Sequence, residues 1–151
     1  MYKKLALPEK TVRLLFDYFS AMAALYEVLP LRDAFDIISR QNEGLVTLEE
    51  FVAFSEIARH EEHEYYILSV DELYAGEEKG EPIDRTIIHE SLLEFGYDEY
   101  YAVAQAQQGK PLYVPTKEEL LSGNKNFYPE NPFVMRIFGV LFCYWLQNGY
   151  I

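Results

Sequence analysis

Apolar residues return at steps of three and four along the first third of the chain, which is the period of a helix with one buried face. Val12, Leu15, Phe16, Phe19, Met22, Ala23 and Tyr26 form one such stripe. They predict a helix over 8–28, opened by Pro8, which suits a first turn, and stopped by Pro30. Ala34, Phe35 and Ile38 predict a second helix over 31–41, with Asn42 and Gly44 as its exit. Thr47 then precedes Glu50 by three residues, the pattern of a capping box, in which hydroxyl and carboxylate each satisfy a backbone amide that the first helical turn leaves free. A third helix is expected from there, with Phe51, Phe54, Ile57 and Ala58 inward and Glu49, Glu50, Glu56, Glu61, Glu62 and Glu64 along its outer side.

Two later stretches change period. Residues 65–68 and 112–114 are rich in Tyr, Ile, Leu and Val, residue types that favour extended chain. Each is followed by a capping signal, Ser69 with Glu72 and Thr116 with Glu119. A lone strand leaves backbone groups unpaired, so the two runs are expected to pair as a small two-stranded sheet. Between them the pattern predicts a charged loop over 76–82, a helix over 83–95 ended by Gly96, and a helix over 98–108 ended by Gly109. Residues 124–132 read as a loop into a C-terminal helix that carries the apolar run 137–146. The expected fold is mainly α (α+β): one domain over 1–151, a helical bundle of about six or seven helices with the small sheet of 65–68 and 112–114.

Composition narrows the function classes. With 151 residues, 50% of them apolar, the chain can fill one core, and its 24 aromatics exclude a disordered acidic tail. The formal charge of −12 is concentrated. Segment 49–99 holds 16 acidic residues against Arg59, Lys79 and Arg85, whereas the rest of the chain holds 9 acidic and 10 basic residues. A chain so short of clustered Lys and Arg is not expected to grip phosphate backbones, so no direct nucleic-acid binding is anticipated. The apolar run 137–146 is too short to span a membrane, a step that takes about 20 residues. No signal peptide is seen, because Leu5 to Leu7 make too short an apolar stretch before Pro8. Cytoplasmic location is the expectation, consistent with the single thiol, Cys143.

Four features bear on chemistry. Residues 34–54 resemble an EF-hand: Gly44 falls at the sharp turn, Val46 at the apolar position after it and Glu50 at the closing carboxylate. The other ligand positions fail, since Ser39, Gln41 and Glu43 stand where a hard cation needs Asp or Asn. The loop is expected to be empty, with the helix-loop-helix held by its capping box. His60 and His63 would lie one turn apart on a helix, close enough to share a metal, although the spacing matches neither the metalloprotease helix nor the carboxylate-bridged metal bundles. They support, as an alternative, a metal-dependent enzyme. His89 is expected to be a packed or surface histidine. Cys143, inside an apolar run, is expected to be inert, and no nucleophile elbow or phosphate loop occurs, so no catalytic residue or cofactor is assigned.

The fourth feature is tyrosine interleaved with acid. Glu61, Glu62, Glu64, Tyr65, Tyr66, Asp71, Glu72, Tyr74, Tyr97, Asp98, Glu99, Tyr100 and Tyr101 are the expected partner-binding residues, with Tyr113 farther along the chain. Tyrosine anchors interfaces at low entropy cost, and acid suits a basic partner. The expected function is therefore an acidic protein-interaction module, with a nucleic-acid-binding protein as one kind of partner. A structural homo-oligomer joined through 137–146 is a further alternative.

Phe51-Val52-Ala53-Phe54 with Ala58-Arg59-His60-Glu61, together with the run Gln-Ala-Gln-Gln-Gly-Lys-Pro-Leu-Tyr-Val-Pro-Thr-Lys-Glu-Glu-Leu-Leu over 105–121, resembles a group of uncharacterised bacterial helical proteins. Some of these end in a small Cys-rich zinc tail of the SEC-C type. The sequence up to Ile151 shows no such tail, so a tail-borne role is not expected here. The resemblance implies a helical fold and brings no activity with it.

Overall fold

The computed structural model of the protein describes residues 5–122. Six α-helices and three strands follow one another over these residues. They are α1 (Glu9–Tyr26), β1 (Val28–Pro30), α2 (Leu31–Gln41), α3 (Leu48–Ala58), β2 (Tyr65–Leu68), α4 (Val70–Leu73), β3 (Thr86–His89), α5 (Asp98–Gln107) and α6 (Lys117–Leu121). Short 3-10 turns at Pro82–Asp84 and Glu90–Leu93 bracket β3. The fold is mainly helical and of the α+β class. The expected loop 124–132, the run 137–146 and Cys143 lie outside the described residues.

The sheet is antiparallel, in the order β1-β3-β2, and it is built differently from the sequence expectation. The partner of β2 is β3, with Ile67 opposite Ile87 and Tyr66 opposite Ile88. Residues 112–114 carry no regular secondary structure and join no strand. The predicted helix over 83–95 is instead 3-10 turn, strand and 3-10 turn. The predicted first helix stops at Tyr26, and Val28 opens a third strand, β1, paired through Val28 with Ile88 and Leu29 with Ile87.

The reason for the misreading of β3 is that both of its faces are covered. Opposed residues share a face of an antiparallel sheet, so Leu29, Ile87 and Ile67 point to one side and Val28 and Ile88 to the other. On the first side lies the main core, where Leu15, Phe19 and Met22 of α1, Ala34 and Ile38 of α2, Phe51 and Phe54 of α3 and Leu120 of α6 surround Ile87. On the second side a smaller core joins Val28 and Ile88 to Leu73, Leu92, Tyr100 and Val103. A strand buried on both faces shows no alternation, so its apolar run cannot be told from a buried helix by period.

Local signals gave correct boundaries where they were self-contained. Glu50 donates its amide to Thr47 Oγ1 at 3.2 Å and returns Oε2 to the Thr47 amide at 2.8 Å, the expected capping box. The same reciprocal pair forms between Thr116 and Glu119 at 3.2 and 3.1 Å. The segment between α5 and α6 is held by side chains rather than by a ladder. The Tyr26 hydroxyl donates to the Tyr113 carbonyl at 2.6 Å, and Gln41 Nε2 donates to the Pro115 carbonyl at 2.7 Å. The Tyr113 carbonyl, inside the expected strand, and the Pro115 carbonyl just beyond it are thus satisfied from α1 and α2.

Candidate functional site

The loop that resembles an EF-hand is occupied by its own hydrogen bonds. Helix α2 continues through Gln41, whose side chain accepts from the Tyr18 hydroxyl at 2.9 Å and donates to Pro115. Asn42 donates to the Tyr18 hydroxyl at 2.8 Å and accepts from the Lys117 ammonium. Glu50, the closing carboxylate of the pattern, is taken up by the Thr47 amide. Ser39 is half-buried in α2 and Glu43 is exposed. The stretch is a helix-loop-helix whose turn is made at Gly44, with φ at +70°, a backbone state that glycine adopts without strain.

The histidines do not share a helix face. Helix α3 ends at Ala58, and both residues fall on the connection to β2. His60 is exposed, with Nε2 at 3.4 Å from Glu56 Oε1. His63 turns inward: its ring stacks on Tyr65 with centroids 4.9 Å apart and lies 5.1 Å from Phe16. Its Nε2 is 3.6 Å from Glu61 Oε2. Among the described residues no three His, Cys, Asp or Glu side chains gather as a metal-ligand set. His89 accepts from the Ser91 amide at 3.2 Å through Nδ1, capping the second 3-10 turn.

The tyrosines divide by burial. Tyr65 is buried in the main core, its ring edge-on to Phe19 at 6.1 Å, and so is not part of a contact face. Burial pushes its hydroxyl to a higher pKa. Tyr100 is buried in the smaller core, and its pKa is also raised, first by burial and then by its hydrogen-bonded neighbour Tyr74, 3.5 Å away. Around Tyr100 stand three exposed rings. Tyr74, Tyr97 and Tyr101 are 40, 45 and 37% exposed. Centroids of Tyr74 and Tyr101 are 5.3 Å apart and those of Tyr97 and Tyr101 are 6.2 Å apart, with tilts of 36° and 33°. The Tyr101 hydroxyl donates to the Leu73 carbonyl at 2.7 Å, which fixes this central ring against the end of α4. Tyr66 is exposed on edge strand β2, and Tyr113 is exposed on the segment between α5 and α6.

One residue of this surface was missed from the sequence. Phe95 is 86% exposed, two residues before Tyr97. A helix over 83–95 would have ended on it, whereas the turn through Gly96, with φ at +109°, carries it into solvent. A Phe left this exposed, two residues from the exposed Tyr97, adds apolar surface of the kind that marks an interaction site.

The exposed charge of segment 49–99 is mostly acidic. Asp71 lies in the first turn of α4, Asp98 and Glu99 in the first turn of α5, and all three are exposed. Glu61, Glu62 and Glu64 are exposed on the connection before β2. Two of the three basic residues of segment 49–99 are engaged in ion pairs. Arg59 meets Glu72 at 2.6 Å, and the buried Arg85 meets Glu56. Burial raises the Glu56 pKa, but the hydrogen bond and charge of Arg85, with His60 and Arg59, outweigh it and hold the carboxylate below its usual range. Glu72 is therefore a structural carboxylate rather than part of a contact face.

No protein-family model matches the chain, and no curated protein or solved structure matches it either. The reading of its function rests on these residues. Among the described residues no helix is long and apolar enough to cross a membrane.

Proposed function

We propose that the protein is an acidic protein-interaction module that binds a basic partner, through the surface of Phe95, Tyr74, Tyr97 and Tyr101 with the carboxylates of α4 and α5. The observation that carries this reading is the exposed aromatic patch, set in a segment where Arg59 and Arg85 are turned to internal ion pairs. Aromatic rings supply the contact area, and the excess negative charge supplies selection and a fast encounter. A nucleic-acid-binding protein is a suitable partner, because its basic groove accepts carboxylates in place of phosphates. In that role the module would act as an inhibitor. The cytoplasm is the compartment in which such a partner is met and a lone thiol stays reduced.

A competition titration tests this. A purified basic DNA-binding protein holding a labelled duplex is titrated with the module at low salt. Release of the duplex, weakened by added salt and by Asp98→Asn with Glu99→Gln, is the expected result. Failure to bind any of a panel of such proteins at low salt would overturn the proposal.

A further inference from the structure

The patch has a feature that general acidity does not explain. Three tyrosine rings lie in a row, Tyr74, Tyr101 and Tyr97, with moderate tilts and with part of each ring open to solvent. The row is held from behind. Tyr100 is buried beneath it with its ring centroid 5.4 Å from Tyr101 and 6.4 Å from Tyr74, and the Tyr101 hydroxyl is bonded to the Leu73 carbonyl. The exposed rings therefore need little ordering when a partner arrives, and the entropy loss on binding is small. Exposed acid adjoins both ends in sequence: Asp71, on which the charges of Lys79 and Arg59 act, lies three residues before Tyr74, and Asp98 and Glu99 follow Tyr97 directly.

We infer that this row of rings selects arginine over lysine in the basic partner, taking guanidinium groups flat on the tyrosine faces while the neighbouring carboxylates accept their N–H bonds. The inference rests on the proposed role as a module for basic partners and names the side chain it reads. A guanidinium is planar, weakly hydrated and stacks on aromatic rings while keeping its donors free at the edge. A lysine ammonium is a compact, strongly hydrated charge that gains less from a ring face. An acidic surface alone separates the two only through the bidentate fork that arginine offers a carboxylate, and it gives neither a face to stack on. A ring row edged with carboxylates favours the group that stacks and donates at once.

Two peptides of equal length and charge, one with arginine and one with lysine, decide the matter by fluorescence anisotropy at low salt. The arginine peptide is expected to bind about tenfold more tightly. Tyr97→Ala should bring this ratio toward one with little change for the lysine peptide, and Tyr97→Phe, which keeps the ring, should preserve it. Tyr97 is exposed and its side chain makes no capping bond to α5, so the variants are expected to fold, which circular dichroism checks. Equal affinity for the two peptides overturns arginine selection and leaves the basic-partner reading standing. No binding of either peptide overturns both. A micromolar self-association of the protein that Phe95→Ser abolishes would also overturn the inference, because the patch would then be a contact between copies of this chain.

Discussion

Glu72 holds two parts of the molecule at once. Its Oε2 accepts from the Ser69 amide at 2.7 Å and the Ser69 hydroxyl at 2.8 Å, while its Oε1 meets Arg59 Nη2 at 2.6 Å. One oxygen starts α4, and the other ties that start to the end of α3. The connection of residues 60–64 is thereby closed at its base.

Removing that carboxylate should weaken the fold more than removing its cation. Glu72→Ala is expected to cost about 1–2 kcal/mol, since a free amide at the start of α4 and the lost ion pair act together. Arg59→Met, which keeps the mostly buried stem, should cost less than about 1 kcal/mol, because Glu72 is partly exposed and water replaces its partner. Urea denaturation of the two variants gives the comparison, and equal losses would show that the cap contributes nothing.

Acid should loosen the molecule through Glu56 and Glu72. Both carboxylates sit below their ordinary range: burial raises each, but Arg85 at Glu56, and the Ser69 amide and hydroxyl followed by Arg59 at Glu72, outweigh it. A carboxylate with a depressed folded pKa contributes stability above the unfolded value, about 4.3, and that contribution is lost as pH falls through the lower folded value. Urea midpoints measured across this range should fall with pH. In Arg85→Met the slope should be shallower, because Glu56 then loses the contact that depresses it.

Glu27, between α1 and β1, adopts φ +63° and ψ −41°, a region that side chains rarely enter. Burial also raises the pKa of its carboxyl, and Glu99 adds to the shift against the opposing charge of His89. Glu27→Gly removes both penalties at neutral pH. The backbone relief is worth about 1–3 kcal/mol and the added freedom of glycine in the unfolded chain returns about 0.5–1 kcal/mol. The variant should therefore melt at higher urea than the parent, and a lower midpoint would count against strain at this position.

The central strand makes a prediction that a helix would not. Ile87 and Ile88 are adjacent and both fully buried, on opposite faces of the sheet. Ile87→Ala and Ile88→Ala should each cost about 2–5 kcal/mol. Tyr66→Ala, opposite Ile88 but exposed, should cost under about 1 kcal/mol by the ordinary range for surface positions. Amide exchange should find the β3 amides among the most protected of the described residues.

What the chain determined by itself was local. Helices α1, α2, α3 and α5, the capping residues Thr47, Ser69 and Thr116 with their glutamates, the turn at Gly44 and strand β2 all follow from neighbours within a few positions, where the interacting groups are fixed by the sequence spacing. The acidic segment and the clustering of its tyrosines were legible in the same way. Tertiary structure decided the rest. It chose β3 rather than 112–114 as the partner of β2, because pairing joins residues far apart in sequence and goes to the strand that buries isoleucine on both faces. Residues 112–116 became a side-chain-anchored connection, with Tyr26 on the Tyr113 carbonyl and Gln41 on the Pro115 carbonyl. It also sorted the tyrosines, sending Tyr65 and Tyr100 inside and leaving Tyr74, Tyr97 and Tyr101 outside with Phe95. Spacing alone cannot tell these apart, since which ring is exposed depends on what packs above it.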